Sequence, residues 1–378
     1  MKKIIFYTGA FMLSTVAFAQ SNESNVDQIG NANQADVRQV GSDNFSDIYQ
    51  SGGDADENAN HEATVIQEGA SNTSEVNQVE DDQIAVVEQY GSLNESSIDQ
   101  SGSSNYADVY QDGLLNATSI VQIGDANDSE PNNEGEVEQA GLGNTASVIQ
   151  DGQLNAASIL QEGNYNYAEI EQTGNSNDAN VRQWGNDNTA FQFQVGNGND
   201  ADILQGESLT GWASSQASVA QQEQYGNGNV AKITQRGSAH TALQAQLGDN
   251  NEVNAYQGNN ENFSRQYQEG NGNYANTQQY FSSNDSFQEQ FGDDNWATTR
   301  QTGEGLNIST IAQNGEANYA LHTQNGLNNG ASTTQLGDGH TSTINQVGNN
   351  NAASVYQSSV DFPGTPGPGG PTTGPTLK

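Results

Sequence analysis

From Asn22 to Gln357 the recurring residues fall on alternate positions of an eleven-residue unit, Asn-x-Ala-x-Val-x-Gln-x-Gly-x-x, while the positions between them vary. Clean copies are Asn33-Gln34-Ala35-Asp36-Val37-Arg38-Gln39-Val40-Gly41 and Asn166-Tyr167-Ala168-Glu169-Ile170-Glu171-Gln172-Thr173-Gly174. A period of two places one set of side chains on one face of a strand and the rest on the other. An eleven-residue period is also open to a right-handed helical coiled coil. Fixed residues at positions 1, 3, 5, 7 and 9 do not follow helical spacing, however. Val or Ile at position 5 suits strands, and a glycine in every unit would weaken a helix. The pattern predicts a strand of about seven residues followed by a turn of about four.

Anchored on glutamine, the chain holds 29 units, 24 with Asn first, 26 with Ala or Ser third and 24 with Gly ninth. One such strand buries too little to stand alone. Two successive units, 22 residues, can fold back on each other as a strand–turn–strand arch, and arches can stack with equivalent strands in parallel. Identical inward Asn and Gln side chains then form amide ladders along the axis, which satisfies polar groups that are costly to bury. Asn33, Ala35, Gln39 and Gly41, with Asn166, Ala168, Gln172 and Gly174, are the representative ladder residues. Gln192 breaks the run of Val and Ile at position 5, and Gln222, Gln244, Gln266 and Gln288 then hold it in alternate units. Alternation at every second unit is what two distinguishable walls of an arch produce. The fold class expected is an all-β cross-β solenoid of about fourteen rungs, roughly 70 Å long at ~4.8 Å per rung.

Interruptions of the count near 53–60, 125–132 and 206–217 are expected to be loops leaving from turns, within a solenoid spanning 20–360. Residues 361–378 are rich in Pro and Gly and read as a flexible tail. None of the six prolines falls within a strand register, as expected where each backbone N–H is needed for pairing. Lys2 and Lys3 precede an apolar run ending in Ala17-Phe18-Ala19, the pattern of a secretory signal peptide over 1–19. That run is shorter than the roughly 20 residues that span a bilayer, so no transmembrane segment is expected.

Composition alone points elsewhere. Apolar residues make up 32% of the 378, with 47 Asp and Glu against 9 Lys and Arg, a balance that usually means disorder. The repeat overturns that reading, because the polar majority becomes the ladder. Removing residues 1–19 takes away two lysines and leaves a formal charge of −40. Such a charge makes nucleic acid an unsuitable partner. The chain has no cysteine, so disulfides contribute nothing to its stability.

The Asn-x-Ala-x3-Gln core followed by x-Gly, in a 22-residue double unit behind a signal peptide, resembles the curlin repeat of bacterial curli fimbriae over roughly residues 22–357. The resemblance implies export across the outer membrane and polymerisation into functional amyloid fibres on the cell surface, for adhesion and biofilm matrix. Its implied partners are further copies of the chain, a nucleating subunit and outer-membrane export machinery. This chain is longer than typical members and carries Asn in both halves of the double unit, where they alternate Ser and Asn. The competing reading is a soluble monomeric β-solenoid binding ice, glycan or cations. A flat threonine column, as ice binding would require, is not present among the mixed even positions.

Candidate chemistry is sparse, and neither an active site nor a cofactor is expected. His61, His240 and His340 replace the first Asn and His322 replaces the position-5 residue, all far apart along the repeat. They read as substituted ladder positions. Asp54, Asp56 and Asn58, and Asp125 and Asn127 with Glu136 at the twelfth position, have the alternating oxygen ligands of a calcium loop but lack its sixth-position glycine. Solvated acidic loops are the plainer reading. Paired acids such as Asp81 and Asp82, or Asp293 and Asp294, sit in turns. Outward-facing aromatics, among them Tyr49, Tyr106, Tyr110, Tyr167, Phe191, Phe193, Tyr256, Tyr267, Trp296 and Tyr356, suit surface contact or simply strand propensity.

Overall fold

The computed structural model describes residues 21–52, 60–125, 133–206 and 215–359. The signal-peptide stretch, most of the three interruptions and the Pro/Gly-rich tail lie outside the described residues, as do all six prolines. Every regular element among the described residues is a strand, and the strands form two parallel sheets of fifteen, the second made of fourteen repeat strands and the short Ser215–Gln216. Odd-numbered units, from Glu23–Ile29 to Ala352–Ser358, build the first sheet, and even-numbered units, from Gln34–Ser42 to Thr341–Val347, build the second. Each strand pairs with the units two before and two after it. Gln139 therefore lies beside Gln161 and Gln111, and Val137 beside Ile159 and Val109. The solenoid of about fourteen 22-residue turns expected from the repeat is the observed fold.

The two sheets face each other across a thin interior. Small residues at position 3, such as Ala107, Ala168 and Ala190, meet Val and Ile at position 5, such as Val109, Ile170 and Val181, and all of these are buried. The expected seven-residue strand is too short for much of the chain. Many strands run to nine residues, as in Glu134–Leu142 and Ala156–Asn164, where Gly141 pairs with Gly163 and Leu142 with Asn164. Glycine continues the ladder there instead of ending it. The turn proper is concentrated at the residue before each Asn, which adopts a left-handed backbone even when it is Leu93 (φ 57°) or Tyr165 (φ 56°). A non-glycine residue in that region costs roughly 1–2 kcal/mol. Its N–H is compensated by the preceding rung, as Leu93 donates to the Ala70 carbonyl at 3.0 Å and Tyr165 to the Leu142 carbonyl at 2.8 Å.

Beside the third interruption, Ser215 and Gln216 pair with Gly185 and Asn186 of the second sheet.

Candidate assembly surface

The inward amides form continuous ladders. Glutamine Nε2 donates to the Oε1 of the next glutamine at 2.6–3.1 Å, without a break from Gln28 to Gln357 in the first sheet and from Gln39 to Gln346 in the second. The second amide hydrogen crosses to the other wall. Gln39 reaches the Glu23 carbonyl at 2.9 Å, and Gln172 reaches the Ala156 carbonyl at 2.9 Å. Asparagines run the opposite way. Asn166 Nδ2 donates to Asn144 Oδ1 at 3.2 Å and to the Gly185 carbonyl at 2.9 Å. Asn33 Oδ1 accepts the backbone N–H of His61 at 3.3 Å. Ala35 and Val37 are partly buried near the first end, while Ala168 and Gln172 are wholly buried. A side chain on Gly41 would strike the carbonyl of Gly69, and one on Gly174 that of Gly196.

Position 5 divides the molecule. Among the described residues the main apolar cluster extends from Ile48 to Ala255, with a small cluster around Val253 beside its end and another around Ile311 beyond it. The Gln192–Gln288 column fills the gap, each amide donating to the next at 2.8–3.0 Å. Gln288 then donates to Thr299 Oγ1 at 3.2 Å, and the chain continues through Ser309, His322, Thr333 and Ser342 in contacts of 2.8–2.9 Å. This polar axis was only half visible in the residues. The glutamine column has a fixed spacing, but the Ser, Thr and His steps cross between walls and become neighbours only when the sheets face each other. Burial holds the His322 imidazole down to about 4. His61 and His240 are likewise wholly buried and lowered by burial.

The outer face carries charge and aromatic columns. Tyr274 stacks on Trp296 with centroids 4.0 Å apart, and Trp296 on Tyr319 at 6.5 Å. Tyr167–Phe191, Phe193–Tyr225, Tyr256–Tyr280 and Tyr267–Phe291 pair at 5.2–5.5 Å. These outward rings therefore cover one another along the axis, and Tyr267 is only 7% exposed. Of the calcium-loop candidates, Asp54, Asp56, Asn58 and Asn127 lie outside the described residues, and the backbone of Asp125 ends the strand Ala117–Asp125. Glu136 stands outward on the strand Glu134–Leu142, between Asp108 and Ser158. Burial raises the Asp108 carboxyl, which Tyr106 counteracts and Glu136 and Glu88 reinforce. Among the described residues, no group of three or more His, Asp or Glu gathers to hold a metal ion. No helix there is long and apolar enough to cross a membrane.

Residues 85–113, 143–174, 155–185, 174–206 and 326–358 match the curlin associated repeat. The chain carries curlin repeats. The matched curlin segments keep Val and Ile at most fifth positions, whereas no matched segment falls between 207 and 325, where Gln and Thr largely replace them. Curlin repeats define a structural, non-enzymatic family. Among curated proteins, none matches the chain.

The stack leaves its edges open at both ends of the described residues. The strand Glu23–Ile29 is exposed throughout, and Val26, an inward position-5 residue, is 47% exposed for want of a rung before it. At the other end Ala352–Ser358 pairs on one side alone, with Gly330–Leu336.

Proposed function

We propose that this chain is an exported structural subunit that polymerises into curli-type amyloid fibres on the cell surface, for adhesion and biofilm matrix. The observation that carries the proposal is the pair of open edges. Glu23–Ile29 and Gln34–Ser42 at one end, and Thr341–Val347 and Ala352–Ser358 at the other, keep the Gln and position-5 alignment of the interior rungs, with Asn first in each unit except that of His340. Parallel, in-register edges of this kind template the next strand. Solitary solenoids block such growth with polar capping repeats. Export rests on the Lys2–Ala19 pattern. A nucleating subunit and outer-membrane export machinery are the partners that likeness to curli subunits supports, with no catalytic role.

Electron microscopy and fibre diffraction of the purified protein test this reading. Fibres with a meridional reflection near ~4.8 Å are expected. Monomers that persist without fibres across a range of salt and pH would overturn it.

A further inference from the structure

The ladder glutamines and asparagines make the same contacts in either sheet. Gln67 of the second sheet donates to the Phe45 carbonyl of the first at 2.9 Å, and Gln78 of the first donates to the Glu62 carbonyl of the second at 3.1 Å. Asn144 of the first reaches the Gly163 carbonyl of the second at 3.0 Å, and Asn155 of the second reaches the Gly174 carbonyl of the first at 2.8 Å. Successive units are thus related by half a turn about the stack axis and half a rung along it. The unit count among the described residues is odd, with fifteen repeat units in one sheet and fourteen in the other. Residues 1–21 and 360–378 contain no further copy of the unit. Among the described residues the stack begins and ends on the same sheet.

We propose, building on the polymer reading above, that a second copy of this chain docks its N-terminal edge on the C-terminal edge after a half turn about the fibre axis. Glu23–Ile29 of the incoming copy then pairs with Thr341–Val347, and Gln34–Ser42 of the incoming copy with Ala352–Ser358. The first sheet of each copy is continued by the second sheet of its neighbour.

Translation without rotation would lay Glu23–Ile29 on Ala352–Ser358 and leave a slot one strand high in the second sheet at every junction. Interior glutamines bond a carbonyl one unit earlier on the opposite wall, as Gln39 bonds the Glu23 carbonyl at 2.9 Å. Across the slot Gln28 would have no such carbonyl. After the half turn, the Ala352 carbonyl of the preceding copy takes that place. A buried amide without its acceptor, beside an unfilled strand position, is expensive.

Charge selects which ends meet. The strands from Ile308 to Ser358 contain no Asp or Glu, whereas the first three strands carry Glu23, Asp27, Asp36 and Asp47. Joining two N-terminal ends sets acids against acids. Joining an N-terminal end to the neutral C-terminal end avoids this.

The absence of native cysteine allows a direct test on the full chain. Asn25, Thr343 and Ser354 are all exposed and all hold the fourth position of their units. In-register partners at ~4.8 Å lie within the Cα separation that a disulfide spans. Fibres of an N25C/T343C variant and of an N25C/S354C variant are grown under reducing conditions, oxidised, and resolved on a denaturing, non-reducing gel. The half turn predicts a covalent multimer ladder from N25C/T343C and monomer from N25C/S354C. Crosslinking in N25C/S354C overturns the half turn. Fibres in which neither variant crosslinks, while single-cysteine controls assemble like the parent, overturn end-to-end docking in this register. Failure of the parent chain to form fibres instead defeats the polymer reading itself.

Discussion

Gly91 has a φ of 106°, and a Cβ there would collide with the carbonyl oxygen of Gly113 in the next rung. Where other residues take this position the backbone shifts, to φ 88° at Glu80 and 67° at Asn259. Gly91→Ala is expected to cost about 2 kcal/mol or more through strain and displacement of the neighbouring rung, read as a lowered urea midpoint of the monomer. An unchanged midpoint would remove the close-approach account of the ninth position. His322 makes a second residue-scale prediction. Its ring is wholly buried, with Nδ1 at 2.8 Å from Ser309 Oγ and Nε2 at 2.8 Å from Thr333 Oγ1. The unfolded imidazole titrates at its ordinary 6.5, the folded one at about 4. As pH falls through that window the unfolded chain binds the proton first, so the folded state loses stability between those values. The loss amounts to about 3 kcal/mol by linkage. Comparing urea unfolding of the parent and His322→Gln from pH 7 to 4 isolates it, since His61 and His240 are common to both. Parallel pH curves would refute the assignment.

At the scale of the strand, a residue's worth depends on the column it joins. Ile holds position 5 in Ile170, Ile203 and Ile233, and all three are buried in contact with other apolar residues. Gln244 holds the same position in the first sheet but accepts from Gln222 at 3.0 Å and donates to Gln266 at 2.9 Å. Gln244→Ile therefore installs a residue the fold uses elsewhere and is still expected to destabilise by about 2–3 kcal/mol. It strands a donor on Gln222 and an acceptor on Gln266 in a dry interior. A neutral or stabilising result in chemical denaturation would mean that the column contributes little beyond packing. Columns, rather than single strands, are the energetic units of this molecule.

Across the whole molecule the dominant feature is charge spread along a rod. A formal charge of −38 over roughly 70 Å amounts to about one charge per 1.8 Å, close to duplex DNA. Lateral and end-on approach of copies are both opposed at low ionic strength. Assembly at neutral pH is expected to accelerate several-fold between ~0.01 and ~0.15 M sodium chloride, as the screening length falls from about 30 to about 8 Å. Thioflavin-type fluorescence or light scattering would follow it. Kinetics independent of ionic strength would exclude charge as the brake on stacking.

Much of this architecture was legible in the residues alone. Alternation with a period of two dictates strands, the eleven-residue repeat dictates their number, and the 22-residue recurrence of Gln222, Gln244, Gln266 and Gln288 exposes two walls. Such features are local or strictly periodic, so a linear reading captures them. The sequence did not reveal why glycine stands ninth, because the obstacle to a side chain is a carbonyl one rung away, 22 residues distant for Gly91 and Gly113. Nor did it show that Ser309, His322 and Thr333 form one buried polar path, since those steps cross between walls. Contacts between rungs and across the interior depend on how the repeat closes on itself. Only the tertiary structure decides them.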